Sequence, residues 1–247
     1  VNLMKAVNPI IVKNAGAKDT DTMNKAVLAS GKYSTLLLVF FAVPFCLEMH
    51  YILNIWLKDV PDWTSLFCCL QLVISIICQA ANSAATSVYA QGNIKWYAIY
   101  KSTMNILPVV VTYIAFRQGA SPYWLYISMI VIWAIGGDYV IIHYAKKCSG
   151  LTFYVFCKDV VVPICFVIIP MVLVGYLPQL FMEENFLRLL VSCFATSIVF
   201  LISIWIIVFK KQERKNVISF MIKSAILAFS SDNFRSLKNS TKSFILI

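Results

Sequence analysis

The chain has 247 residues, 60% of them hydrophobic and 13% charged, against about 45–50% and 25% in soluble domains. With a mean hydropathy of +0.79, this excludes a soluble globular domain, a disordered or collagen-like chain and a secreted disulfide scaffold. It leaves a polytopic membrane protein of roughly six to eight helical spans. The net charge of +10 does not point to nucleic acid, because Lys and Arg fall between apolar runs rather than on one soluble face.

In chain order, residues 1–32 read as the end of a preceding helix, broken near Pro9, and then a cytoplasmic loop. Within that loop Asp21 or Thr22 caps a short surface helix through Met23, Val27 and Ser30. A start at Val1 rather than Met suggests a piece of a longer protein. Residues 33–209 hold six predicted spans: Tyr33–Leu53, Leu66–Tyr89, Trp96–Phe116, Tyr123–Tyr144, Phe153–Leu177 and Phe186–Phe209. They are too long and continuous for barrel strands, and an unpaired backbone amide in hydrocarbon costs several kcal/mol, so helices are expected. Residues 210–247 form a basic tail, KKQERK and then Val217, Ile218, Phe220, Met221 and Ile222, read either as amphipathic on the bilayer or as solvated.

Alternate connections carry opposite cation loads. Lys58, Arg117 and Arg188 fall on one side, and the other 18 of the 21 Lys and Arg fall on the opposite side. Both ends are therefore expected in the cytoplasm. The outer side carries Trp56, Trp63, Tyr123 and Trp124, as an interfacial aromatic belt would, with Asp59, Asp62, Glu183 and Glu184. Glu48 and His50 read as wet at the outer end of the first span, and His143 as interfacial. The eight cysteines lie in or beside apolar runs, except Cys148 in a basic loop. Without Cys-x-x-Cys or Cys/His ligand spacing they read as small apolar fillers, and no metal or cofactor is expected.

Polar side chains within spans are the informative ones. On the second span Gln71, Ser75, Gln79, Asn82, Ser83 and Thr86 recur at steps of three or four and line one helical face. That face serves either interhelical hydrogen bonds or a wet cavity. Ala80/Ala84 and Ala81/Ala85 beside it permit close helix approach. On the third span Lys101, Asn105 and Thr112 share a face near Pro108. Lys101 lies roughly 7.5 Å inside Trp96, and Asp138 on the fourth span lies at matching depth. The two are expected to pair or to line one cytoplasm-facing vestibule, with snorkelling of Lys101 as the alternative. Pro44, Pro108, Pro163 and Pro170 interrupt spans.

The segments Asn8-Pro9-Ile10-Ile11-Val12-Lys13, Ala15-Gly16-Ala17-Lys18-Asp19 and Ala90-Gln91-Gly92-Asn93-Ile94-Lys95, with Asn105-Ile106-Leu107-Pro108, resemble bacterial polysaccharide-biosynthesis flippases. These belong to the multidrug/oligosaccharidyl-lipid/polysaccharide exporter superfamily. The resemblance covers roughly residues 8–150 and, more loosely, the last two spans. It implies an all-α integral membrane fold, here about one C-terminal lobe of a two-lobed transporter of 12–14 helices, with the N-terminal lobe of the same protein as partner. It implies export of a lipid-linked oligosaccharide, a polysaccharide or O-antigen repeat unit, across the bacterial inner membrane by alternating access. Gln71, Gln79, Asn82, Ser83, Thr86, Asn105 and Asp138 would line the substrate cavity, and Lys101 would attract pyrophosphate while the lipid tail stays in the bilayer.

The nearest rival is a proton- or sodium-coupled drug antiporter of the same superfamily, for which Asp138 is the available carboxylate. A membrane glycosyltransferase or polymerase would need clustered acid/base or metal-binding groups. Asp59 and Asp62 flank Pro61 as an ordinary turn would, so no enzymatic activity is expected.

Overall fold

The structure, a computed structural model, describes residues 2–208 other than Lys58 and Asn93, with side chains from residue 7 onward. The expected basic tail, 210–247, lies outside the described residues. Six helical stretches are long and apolar enough to cross a bilayer: Thr20–Leu47, Thr64–Ala90, Lys95–Arg117, Trp124–Ser149, Phe153–Phe181 and Phe186–Val208. All regular structure among the described residues is helical, as the solvent dictates: a helix satisfies its own backbone where water is absent. The chain is therefore an all-helical, multi-pass membrane protein.

The N-terminal region departs from expectation. Helix α1 runs Asn2–Gly16 straight through Pro9, which removes one backbone hydrogen bond without ending the helix, because packing holds it. Ile11 is fully buried, and α1 packs on both the first and second crossings. Helix α2 is continuous over Thr20–Leu47. There is no separate surface helix through Met23, Val27 and Ser30, because those residues begin a buried stripe that continues through Ser34 and Val39. The cap is Asp19, not Asp21 or Thr22: its Oδ1 accepts from the Thr22 N–H at 3.1 Å. The Thr22 hydroxyl first, and then this backbone N–H, hold the exposed Asp19 carboxyl below its ordinary value of 3.8. A depressed folded value means the cap stabilises the helix above the ordinary carboxylate range and loses that contribution as pH falls through the folded value. The protection factor of the Thr22 amide, its exchange relative to the unfolded chain at the same pH, is expected to fall at acid pH in the parent chain and to be low and nearly independent of pH in Asp19→Ala.

Helix α2 ends earlier than expected. The chain turns at Glu48 (φ −105°, ψ 19°), and a short helix α3, Met49–Trp56, follows. The second and third crossings are α4, Thr64–Ala90, and α5, Lys95–Arg117. The fourth comprises α6 (Trp124–Ser128), a π-helical stretch Met129–Gly136 and α7 (Gly137–Ser149). Cys148 thus sits in the last turn of α7 rather than in a loop. The fifth comprises α8 (Phe153–Phe156), a π-helical stretch Cys157–Val161 and α9 (Val162–Phe181). This π-helical stretch ends just before Pro163, whose absent N–H frees a carbonyl there.

Helix α10 spans Phe186–Ser203. The described residues up to 201 make one compact unit, and residues 202–208 belong to a second. Of the second, the described residues end α10 and continue in a π-helical stretch, Ile204–Val208.

Small residues decide the closest packing, since lipid tails are as apolar as leucine and contact geometry drives association. A Cβ on Gly31 of α2 would stand 2.6 Å from the backbone oxygen of Ala80 on α4. Around this point Ala80, Ala81, Ser83, Ala84 and Ala85 are buried. A Cβ on Gly175 of α9 instead meets only the side-chain tips of Leu47 and Thr196. Gly31→Ala is therefore expected to cost about 1–3 kcal/mol by prising α2 from α4. Gly175→Ala should cost less, because rotatable tips yield where a backbone cannot. Thermal unfolding in detergent ranks the two, and equal losses would contradict the distinction.

Candidate functional site

A crevice of about 510 Å³ lies between α2, α4 and the fifth crossing. Its walls include Val43 and Leu47 of α2, Val73, Ile77 and Ala80 of α4, and Ile164 and Ile168 of α9. The lining is almost wholly apolar. Thr35, on its wall, spends its hydroxyl on the Gly31 carbonyl at 2.7 Å. The polar exception is Asp138, at the start of α7, with 9% of its surface exposed and an Oδ1 that has no hydrogen-bond partner. A desolvated, unsatisfied carboxylate oxygen costs about 1–3 kcal/mol or more, so a fold keeps one where it has use for it.

Lys101 of α5 approaches this carboxylate without closing an ion pair. Its ammonium packs against the backbone of Gly137, the neighbour of Asp138, where a Cβ would leave it no room. Among the described residues the ion pairs within 4.0 Å are those of Glu48, His50, Glu184 and Arg188. The direct Lys101–Asp138 pair expected from matching depth is thus not formed. The two charges stay close, with Lys101 only half-buried and Asp138 deep.

The other predicted cavity residues do not line the crevice. On α4 it takes the face bearing Val73, Ile77 and Ala80, and at 100° per residue Gln71, Ser75, Asn82 and Thr86 stand on the opposite side. Gln71 and Asn82 are exposed, and Gln79 and Thr86 half-buried. Ser83, at the edge of the stripe, is fully buried. Asn105 on α5 is exposed, and Thr112 is buried with its hydroxyl 2.8 Å from that of Ser128 on α6. Helices α4 and α5 each pack along the fourth crossing, while Gln71, Asn82 and Asn105 stay exposed. Gln79, Asn82, Lys101 and Asn105 line none of the hollows described for these crossings. On the third span the interhelical reading accounts for Thr112, and on the second the stripe faces outward.

Sequence reasoning missed a polar cluster where the end of the first crossing meets the start of the last. Glu48, expected to be wet, is 1% exposed. Its Oε2 accepts from Arg188 Nη2 at 2.8 Å and Nε at 3.1 Å, and its Oε1 from Ser192 Oγ at 2.9 Å. The Asn185 side chain caps α10 by accepting from the Arg188 N–H at 2.7 Å. Beside this cluster His50, which is wet as expected, lies 3.1 Å from Glu184, and the Gln179 amide donates to the Leu47 carbonyl. A polar hollow of about 350 Å³ lies among these groups. Arg188 was legible as a lone cation near a span, but nothing local pointed to a partner 140 residues away.

Comparison with family models, with curated proteins and with solved structures finds no match for this chain. The reading of function therefore rests on the geometry. Among the described residues no three His, Cys, Asp or Glu side chains gather to hold a metal ion, and the eight cysteines are free thiols.

Proposed function

We propose that this chain forms one lobe of a bacterial inner-membrane exporter that moves a lipid-linked oligosaccharide by alternating access, with both of its ends cytoplasmic. The observation that carries the reading is the outward polar stripe of α4. A polar face turned to hydrocarbon is costly, so the exposed amide of Gln71 calls for water or a companion lobe beyond these crossings. A sugar head would meet that stripe and Asn105. The apolar crevice on the other face of α4 accepts hydrocarbon, and Lys101 offers a point charge to pyrophosphate.

The test is export of labelled lipid-linked oligosaccharide in cells making the full protein. Asn82→Leu combined with Gln71→Leu is expected to reduce export by about tenfold or more, since each lost hydrogen bond at the transition state is worth about 1 kcal/mol. Undiminished export at equal membrane abundance would sink the reading.

One observation favours a second reading. A lone carboxylate on an apolar wall is also what a lipophilic cation would seek, which is the chemistry of a proton- or sodium-coupled drug antiporter. Transport of an organic cation lost in Asp138→Asn, with oligosaccharide export intact, would select it.

A further inference from the structure

At the lysine-rich end of the bundle, seven rings form one connected network across four crossings. Tyr89 of α4 meets Tyr97 of α5 at 5.3 Å between centroids, and Tyr97 meets Tyr144 of α7 at 5.8 Å. Tyr144 touches Tyr100 at 6.3 Å and His143 at 5.8 Å. From His143 the chain of rings continues to Tyr139 at 6.2 Å and on to Phe153 of α8 at 6.1 Å. Only Tyr97 is sealed inside, at 1% exposure, whereas Tyr100 and Tyr139 are at least half exposed. Two adjoining hollows of about 480 and 230 Å³ open on this network, sharing Tyr100, Tyr144 and Lys147.

The charge here is uncompensated. The Lys147 ammonium sits 5.3 Å over the Tyr144 ring and that of Lys95 lies 5.9 Å from the Trp96 ring. Among the described residues neither lysine, nor Lys146, forms an ion pair with a carboxylate. Aromatic rings hold these ammonium groups in place without neutralising them, and the tyrosine hydroxyls add donors. An anion is the complementary ligand. Trp96 and Tyr100 of α5 line the larger hollow, and α5 also exposes the large apolar Ile99, Ile106 and Val110, a surface along which the tail of a lipid anion can lie.

We infer that this cluster is a binding site for the phosphate headgroup of an anionic phospholipid, with Lys95 and Lys147 contacting the phosphate and the acyl chains lying along α5. The inference is independent of which substrate the protein transports.

The purified full-length protein in neutral detergent is titrated with short-chain phosphatidylglycerol, short-chain phosphatidylcholine and inorganic phosphate. Binding is read by thermal shift and by bound-lipid mass in native mass spectrometry. Phosphatidylglycerol is expected to bind saturably and to raise the melting temperature. Lys95→Ala with Lys147→Ala should weaken it about thirtyfold, at about fivefold for each lysine near the surface. Both lysines are exposed, and the charge-keeping Lys95→Arg with Lys147→Arg should restore binding, which a merely structural role would not explain. Equal binding of phosphatidylcholine, or unchanged affinity in the alanine pair, overturns the site. Inorganic phosphate that binds as tightly as the lipid overturns the assignment to a phospholipid.

Discussion

Replacing Arg188 with alanine is expected to cost about 3–5 kcal/mol, because it strips the buried Glu48 carboxylate of its charge partner. The carboxylate is fully enclosed and Arg188 nearly so, at 0% and 9% side-chain exposure. Both Oε2 bonds come from the guanidinium, and only Ser192 would remain to serve the other oxygen. The pair joins the C-terminal end of α2 to α10, where the chain also bends at Glu48, so its loss should loosen the contact between the first and last crossings. Thermal unfolding in detergent measures the loss. The informative partner experiment is Glu48→Leu with Arg188→Met. It removes both charges and should recover most of the stability, since replacing a buried pair by apolar residues is often neutral or favourable. A single-variant loss below about 1 kcal/mol would put the pair in the class of exposed ion pairs.

Asp138→Leu is expected to act in the opposite sense, raising stability while removing export. The carboxylate lines an apolar crevice and one of its oxygens has no partner. A leucine of similar size removes that unsatisfied group and should gain about 1–3 kcal/mol. Lys101, half-exposed and without an ion pair, can carry its ammonium toward water. A group retained against stability marks a working position, so transport should fall even as the melting temperature rises. Melting temperature and export are measured on the same preparation. A destabilised variant would show that the carboxylate is structurally satisfied after all, and a stabilised variant with full export would remove Asp138 from the transport machinery.

Six crossings, their places in the chain and their helical character could be read from local residues, because hydrocarbon allows the backbone few options and apolar run length reports bilayer thickness directly. The aromatic residues at one end of the crossings are exposed beside their turns, Trp56, Trp63 and Trp124 among them, and Trp63 and Tyr123 meet at 6.0 Å between centroids. The close approach foreseen from Ala80, Ala81, Ala84 and Ala85 is used in packing, although its partner glycine on α2 could not be named. Helical periodicity found the stripe of Gln71, Asn82 and Thr86 on one face of α4. It could not say whether that face turned inward, since a stripe has the same period whichever way it points.

Composition and local pattern alone settled that this is a helical, multi-pass membrane protein, because the solvent acts on each segment separately. Tertiary structure decided the rest. It merged the surface helix into the first crossing, turned Gln71 and Asn82 away from the apolar crevice, left Lys101 beside Asp138 unbonded, and gave Glu48 a cation from 140 residues downstream. Each of these depends on which distant segment arrives as neighbour, a choice made by shape and charge between crossings that no short stretch of chain encodes.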